Sequence, residues 1–309
     1  MTLPVALAYG LASGLGPIAG MYTAIILGLI AVIFGGTDTQ ISSPVGAMTV
    51  VVALIIATEV TIAGSIDAAL PVLIVMFALT GLIQMLMGLF KVGANIRYVP
   101  YTVVSGFMSG IGIIIMVMQV KDVFGVYDSG FNSVPSILMH FDYFILNANW
   151  FSVLVALATV GIIYLFPLIT KRIPSSLIAL IAVTSAVYFL KLDVQHLGEV
   201  EIHFSHFEMS YLNQIFQSEV IFRILVAAFS LAILSSINTL LSSVAADKMT
   251  QTVHDSNKEL FGQGLGNFVA GIFGGFPGGG AVACTVANIQ SGGRNKISGV
   301  ISSLFLLVT

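Results

Sequence analysis

The chain has 309 residues, 57% apolar and 8% charged, with a formal net charge of −3. Soluble domains carry roughly 25% charged residues, so a mean hydropathy of +1.04 leaves too few charges to cover a water-facing surface. This excludes a soluble globular protein, and the weak negative charge without a basic stripe excludes a nucleic-acid partner. The lipid bilayer is the expected surrounding.

Apolar runs at 68–90, 98–120, 150–170 and 224–246 approach or exceed the ~20 residues that span a hydrocarbon core. In chain order, spans are expected near 1–13 (partial), 18–35, 44–63, 68–90, 98–120, 150–170, 175–191, 218–247, 259–275, 281–292 and 297–309 (partial), eleven in all. The ends read as cut through spans, and the first residues lack the basic start of a signal peptide. The polar stretches 121–148 and 192–217 read as two long loops, and His196, His203 and His206 in the second as solvated residues rather than metal ligands. A single cysteine, Cys284, leaves no intramolecular disulfide and no cysteine-based metal site.

With the N-terminus inside, Lys91, Arg97, Lys171, Arg172, Lys248, Lys258, Arg294 and Lys296 all fall on the cytoplasmic side. The opposite side carries Asp122, Asp128, Asp142, Asp193, Glu199, Glu201, Glu208 and Glu219, with only Lys121, Lys191 and Arg223 basic. This is the positive-inside pattern.

Two segments break the rules of a membrane helix. Gln40-Ile41-Ser42-Ser43-Pro44-Val45-Gly46 predicts an extended piece running into a helix that starts at about Pro44, capped by Ser42 or Ser43. Gly274-Gly275-Phe276-Pro277-Gly278-Gly279-Gly280 is too rich in glycine for a helix interior, and the helical run after it is too short to span alone. Irregular backbone at membrane depth is tolerated where it is buried in protein or lines a cavity. Corresponding breaks in two halves point to a transporter's central site. They fall in the third and tenth spans, which fits a repeat of seven, inverted because seven is odd. Two half-helix N-termini aimed at each other form an anion site with no basic side chain. Its candidate donors are the backbone N–H groups around Val45, Gly46, Ala47, Gly280, Ala281, Val282 and Ala283.

Ser235, Ser236, Asn238, Thr239, Ser242 and Ser243 crowd the eighth span. Most of these hydroxyls are expected to bond their own helix. Asn238, which shares a face with Ser242, should instead face protein or water. The Gln263-Gly264-Leu265-Gly266-Asn267 stretch predicts close helix packing, and Asp247 and Glu259 at span ends are expected to cap or pair locally. No nucleophile–base pair or metal cluster appears at membrane depth, so an enzyme is not expected.

These residues carry a family resemblance. Leu3-Pro4-Val5-Ala6-Leu7-Ala8-Tyr9, Gly20-Met21-Tyr22, Phe34-Gly35-Gly36 and Ile41-Ser42-Ser43-Pro44-Val45-Gly46 resemble the SulP family of anion transporters (the sulfate permease family). So do Ala246-Asp247-Lys248-Met249-Thr250, the stretch from Asn257 to Asn267, Gly275-Phe276-Pro277-Gly278 and the stretch from Thr285 to Asn288. The stretch from Gly292 to Val300 is similar to the cyanobacterial BicA-type bicarbonate branch. The resemblance implies an all-α membrane fold of seven plus seven inverted spans, divided into core and gate domains, here truncated near span eleven and containing two broken half-helices. Residues 1–95 and 216–309 would form the core and 96–215 half of the gate, with spans 12–14 and a cytoplasmic STAS domain absent. It implies secondary transport of a small inorganic anion, bicarbonate first and sulfate next, without a cofactor, in a homodimer of the bacterial inner membrane. An uncoupled channel, a nucleobase permease of the same fold and a non-transporting scaffold are the alternatives.

Several positions depart from the pattern of the bicarbonate branch. Its sodium-holding acid in the eighth span is Asn238 here, and the threonine one turn later is Ser242. Threonines at the tenth and third half-helix N-termini are Val282 and Val45. The basic residue of the tenth half-helix is Cys284, placed with Pro4 near the site. Sodium seeks oxygen ligands, so these changes argue against sodium coupling and leave the backbone anion site intact.

Overall fold

In lipid, a backbone must satisfy its own polar groups, and helices do so segment by segment. The computed structural model describes residues 2–94, 101–126, 134–170, 175–194 and 218–308 and places a helix at each expected span. These are α1 (Thr2–Ser13), α2 (Pro17–Phe34), α3 (Gly46–Ala63), α4 (Ile66–Leu89) and α5 (Tyr101–Met118). Three short helices follow, α6 (Val120–Phe124), α7 (Val134–Met139) and α8 (Phe141–Leu146). Then come α9 (Trp150–Ile169), α10 (Ser175–Leu190), α11 (Ser218–Thr250) and α12 (Ser256–Ile272). The chain closes with α13 (Val282–Gln290) and α14 (Lys296–Val308). Two strands, β1 (Ser42–Ser43) and β2 (Gly279–Gly280), precede α3 and α13. Arg97, Asp128, Lys171, Arg172, His196, Glu199, Glu201, His203, His206 and Glu208, used above for sidedness and loop assignment, lie outside the described residues.

Among the described residues, five helices are long and apolar enough to cross a membrane: α2, α3, α4, α9 and α11. The chain is an integral, multi-pass membrane protein. The stretch 121–148 differs from the plain loop expected of it. Its apolar residues Val126, Ile137 and Phe144 bury against one another, and that small core folds α6 to α8.

The chain forms two compact units, residues 102–200 and residues 2–101 with 201–309. In the first, Asn149 joins three segments. Its Oδ1 caps α9 by accepting from the Phe151 N–H at 3.0 Å, its Nδ2 donates to the Asp193 carbonyl at 2.7 Å, and its own N–H reaches the Phe124 carbonyl at 2.8 Å.

In the second unit, α12 packs along α4 and α2, while α11 packs on α4, α13 and β2. Small residues set the α4–α12 distance, as in membrane bundles generally. A Cβ on Gly264 would sit 2.3 Å from the Met85 nitrogen, and one on Gly81 would sit 2.2 Å from the Phe268 nitrogen. The close packing expected around residues 263–267 is therefore with α4 at Gly264 and with Leu27 of α2 at Gly266. The Tyr22–Gly28 part of α2 passes through a π-helical turn, Thr23–Leu27. There the Thr23 hydroxyl donates to the Phe276 carbonyl at 2.8 Å and accepts the Phe276 N–H at 2.9 Å, gripping the segment that leads to β2.

Candidate anion site between two half-helices

The residue before a proline is pushed toward extended backbone. Ser43, ahead of Pro44, therefore does not cap a helix. It joins Ser42 in β1, which pairs antiparallel with β2, Ser42 opposite Gly280 and Ser43 opposite Gly279. The pairing answers part of the backbone demand of both irregular segments, and side chains of α2, α11, α12 and α13 answer more of it. Val45 (φ −128°, ψ 144°) is still extended, and α3 begins at Gly46, two residues beyond Pro44, with no side-chain cap. Ala281 holds the same place before α13, also with no side-chain cap. The first turns of the two helices thus keep unpartnered N–H groups, at Gly46, Ala47 and Met48 and at Val282, Ala283 and Cys284.

The fold gathers the nominated residues around these turns. Val45 packs against a buried cluster of Ile41, Ala281 and Cys284. Val45 and Gly46 are half-buried, Ala47 and Cys284 are buried, and Val282 and Ala283 are exposed. Two of the seven proposed donors are already engaged. The Gly280 N–H donates to Thr239 Oγ1 at 3.2 Å, and the Ala281 N–H to the Ile41 carbonyl at 2.9 Å. They hold the frame and are not free for a ligand, the first being taken by α11 and the second by the segment that leads into β1. Pro4, half-buried on α1, is two residues from Thr2, whose hydroxyl lies beside the Cys284 thiol together with that of Ser43.

The polar face of α11 runs past β2. The Ser242 hydroxyl lies 3.2 Å from Thr285 Oγ1, which accepts the Ile41 N–H at 3.0 Å. A Cβ on Gly280 would meet Ser242 Cβ at 2.8 Å and Gln40 Nε2 at 2.6 Å, so this position needs glycine for the close approach. Asn238 lies beside Gly279, but its Nδ2 donates to the Leu234 carbonyl at 3.0 Å. It takes the local backbone bond that was expected of its hydroxyl neighbours. Ser236 behaves as expected, donating to the Ala232 carbonyl at 2.7 Å, whereas Ser235 turns to the Gly278 carbonyl at 2.7 Å.

Glu259 overturns its sequence reading. It is 1% exposed, and three of its four partners are far away in sequence, Gln263 alone being local. Oε2 accepts the Gly36 and Thr37 N–H groups at 2.8 and 2.9 Å, and Oε1 accepts Gln40 Nε2 at 2.8 Å and Gln263 Nε2 at 3.1 Å. Gln40 Oε1 in turn accepts from the Ser243 hydroxyl at 2.8 Å. Asp247 does pair locally, with His254 Nδ1 at 2.6 Å and the Thr252 hydroxyl at 3.1 Å. Gln40, Gln84 and Thr285 were not nominated as site residues from the sequence, and Thr239 was noted only among the polar residues of the eighth span. For Gln84 the available signal was an amide side chain inside an apolar run, which cannot stay unpaired when buried.

Two half-helices meeting tip to tip on a paired strand, inside a helical membrane unit, define the core of a membrane carrier fold. The chain belongs to the sulfate permease family, whose model matches residues 1–309. It is 40% identical to the bicarbonate transporter BicA of Picosynechococcus sp., over 100% of this chain and 54% of that protein. It is 42% identical to BicA of Synechocystis sp., over 95% of this chain and 51% of that protein. The chain thus spans about half the length of these relatives. Its structure superposes on the transmembrane domain of a cyanobacterial BicA with a TM-score of 0.87 at 42% identity, covering 99% of this chain and 77% of that one. Murine Slc26a9 gives a TM-score of 0.82 at 21% identity, covering 100% and 54%, a likeness of fold.

Proposed function

We propose that the protein is a secondary active transporter of a small inorganic anion, with bicarbonate favoured over sulfate. The anion would be held by the free N–H groups of Val45, Gly46 and Ala47 on one side and Val282 and Ala283 on the other. The observation that carries this reading is the β1–β2 pairing, which sets two uncapped helix N-termini side by side. Each contributes roughly half a positive charge, and neither needs a cation. The names of the BicA relatives support bicarbonate. Transport would proceed by moving a core (1–95 and 216–309) against a gate containing 96–215, in a homodimer of the bacterial inner membrane, with no bond made or broken.

Sodium coupling is not part of the proposal. Asn238 is neutral and its amide nitrogen is committed to its own helix, and Val282 offers no hydroxyl. Labelled bicarbonate and sulfate uptake into proteoliposomes, with and without sodium, tests the reading. Saturable flux indifferent to sodium is expected, and no flux of either anion under any gradient would overturn it. Flux insensitive to the countergradient would mark a channel instead. Adding Asn238→Asp and Val282→Thr together should create sodium dependence, read in the same assay.

A further inference from the structure

Glu259, Gln263 and Asn267 stand four residues apart on α12 and so share one face. None is more than 1% exposed. Each grips a different piece of the two broken segments. Glu259 holds the Gly36 and Thr37 N–H groups and Gln40. Gln263 donates to the Ser42 hydroxyl within β1. Asn267 clasps both sides of Gly278, accepting its N–H at 2.9 Å and donating toward its carbonyl at 3.4 Å, one residue ahead of β2. Gln84 on α4 supports that clasp by accepting from Asn267 Nδ2 at 2.8 Å. The first half-helix and the second, separated by more than 200 residues, are therefore referenced to one rigid helix.

We propose that Glu259, Gln263 and Asn267 form a positioning spine that sets the spacing and aim of the two half-helix N-termini, and through them the affinity for the anion. This rests on the anion-site reading above. The three side chains are positioning residues, because their bonds go to the lead-in segments and not to the free N–H groups of α3 and α13. An anion held between two dipole ends loses attraction as either tip drifts, so the spine acts on affinity more than on the speed of the moving step.

Gln263→Met keeps the volume and removes the amide, touching only the first lead-in. Asn267→Ser removes the clasp on the second. Each is read by amide hydrogen exchange across residues 40–49 and 278–286 and by anion uptake in proteoliposomes. Each variant should speed exchange in both segments, including the one it does not touch, and raise the KM for bicarbonate about tenfold with little change in maximal rate, as expected when a buried hydrogen-bond partner is lost. A merely structural role would instead lower the maximal rate through the amount of folded carrier and leave KM alone. Exchange confined to the touched segment, or an unchanged KM, overturns the spine even where the parent protein shows saturable anion flux. If the parent shows none, the anion reading falls, and the exchange result still decides the spine.

Discussion

Replacing Glu259 by glutamine changes one buried oxygen into an NH2 group and should cost far more than its size suggests. The carboxyl group accepts four N–H donors at 2.8 to 3.1 Å, two on each oxygen. With its neighbours fixed, whichever way the new amide turns, two donors lose their acceptor and face another N–H. If the oxygen stays with Gly36 and Thr37, the NH2 meets Gln40 and Gln263. Gln40 is held by the Ser243 hydroxyl on its Oε1, whereas Gln263, whose Oε1 has no partner, can turn it toward the new NH2 while the Ser42 hydroxyl changes from acceptor to donor. One or two buried donors left unsatisfied cost about 1–3 kcal/mol each, together about 1–6 kcal/mol, a large part of the ~5–15 kcal/mol by which folded proteins are stable. The unfolding midpoint of the detergent-solubilised protein, followed by fluorescence-detected size exclusion across a temperature series, should fall by roughly 2–9 °C. An unchanged midpoint for Glu259→Gln would refute the idea that this carboxyl group ties residues 36–40 to α12.

Three further changes probe the frame. Thr239→Val removes the acceptor of the Gly280 N–H and should weaken anion uptake by roughly tenfold in KM, since a buried N–H is left unpaired next to the α13 N-terminus. Thr23→Val loses both bonds to Phe276 and should lower the thermal midpoint by an amount worth about 2–4 kcal/mol, the variant remaining folded at low temperature. Gly264→Ala places a methyl group 2.3 Å from the Met85 nitrogen. Backbone cannot yield as a side-chain tip does, so a loss of about 3 kcal/mol or more is expected, visible as poor recovery of monodisperse protein.

Composition and hydropathy alone determined the environment and, among the described residues, where the helices lie and most of their ends. The reason is physical: in lipid an apolar run has one way to satisfy its backbone, and that way is local. The two breaks were legible for the same reason, since Pro44 and the 274–280 glycines forbid an ordinary helix whatever surrounds them. Tertiary structure decided how the breaks are used. Ser42 and Ser43 carry the residue types of a helix cap, and only the arrival of Gly279 and Gly280 more than 200 residues later turns them into a strand. Thr239 on α11 took the Gly280 N–H and the Ile41 carbonyl took the Ala281 N–H, which left those of Val45, Gly46, Ala47, Val282 and Ala283 for a ligand. Glu259 looked like a local cap because its sequence neighbours allow one. Its real partners, Gly36, Thr37 and Gln40, come from the other half of the chain, and a buried carboxyl group goes wherever the most donors converge. Sequence shows where a local rule fails; the long-range contact that compensates for the failure exists only once the helices are packed.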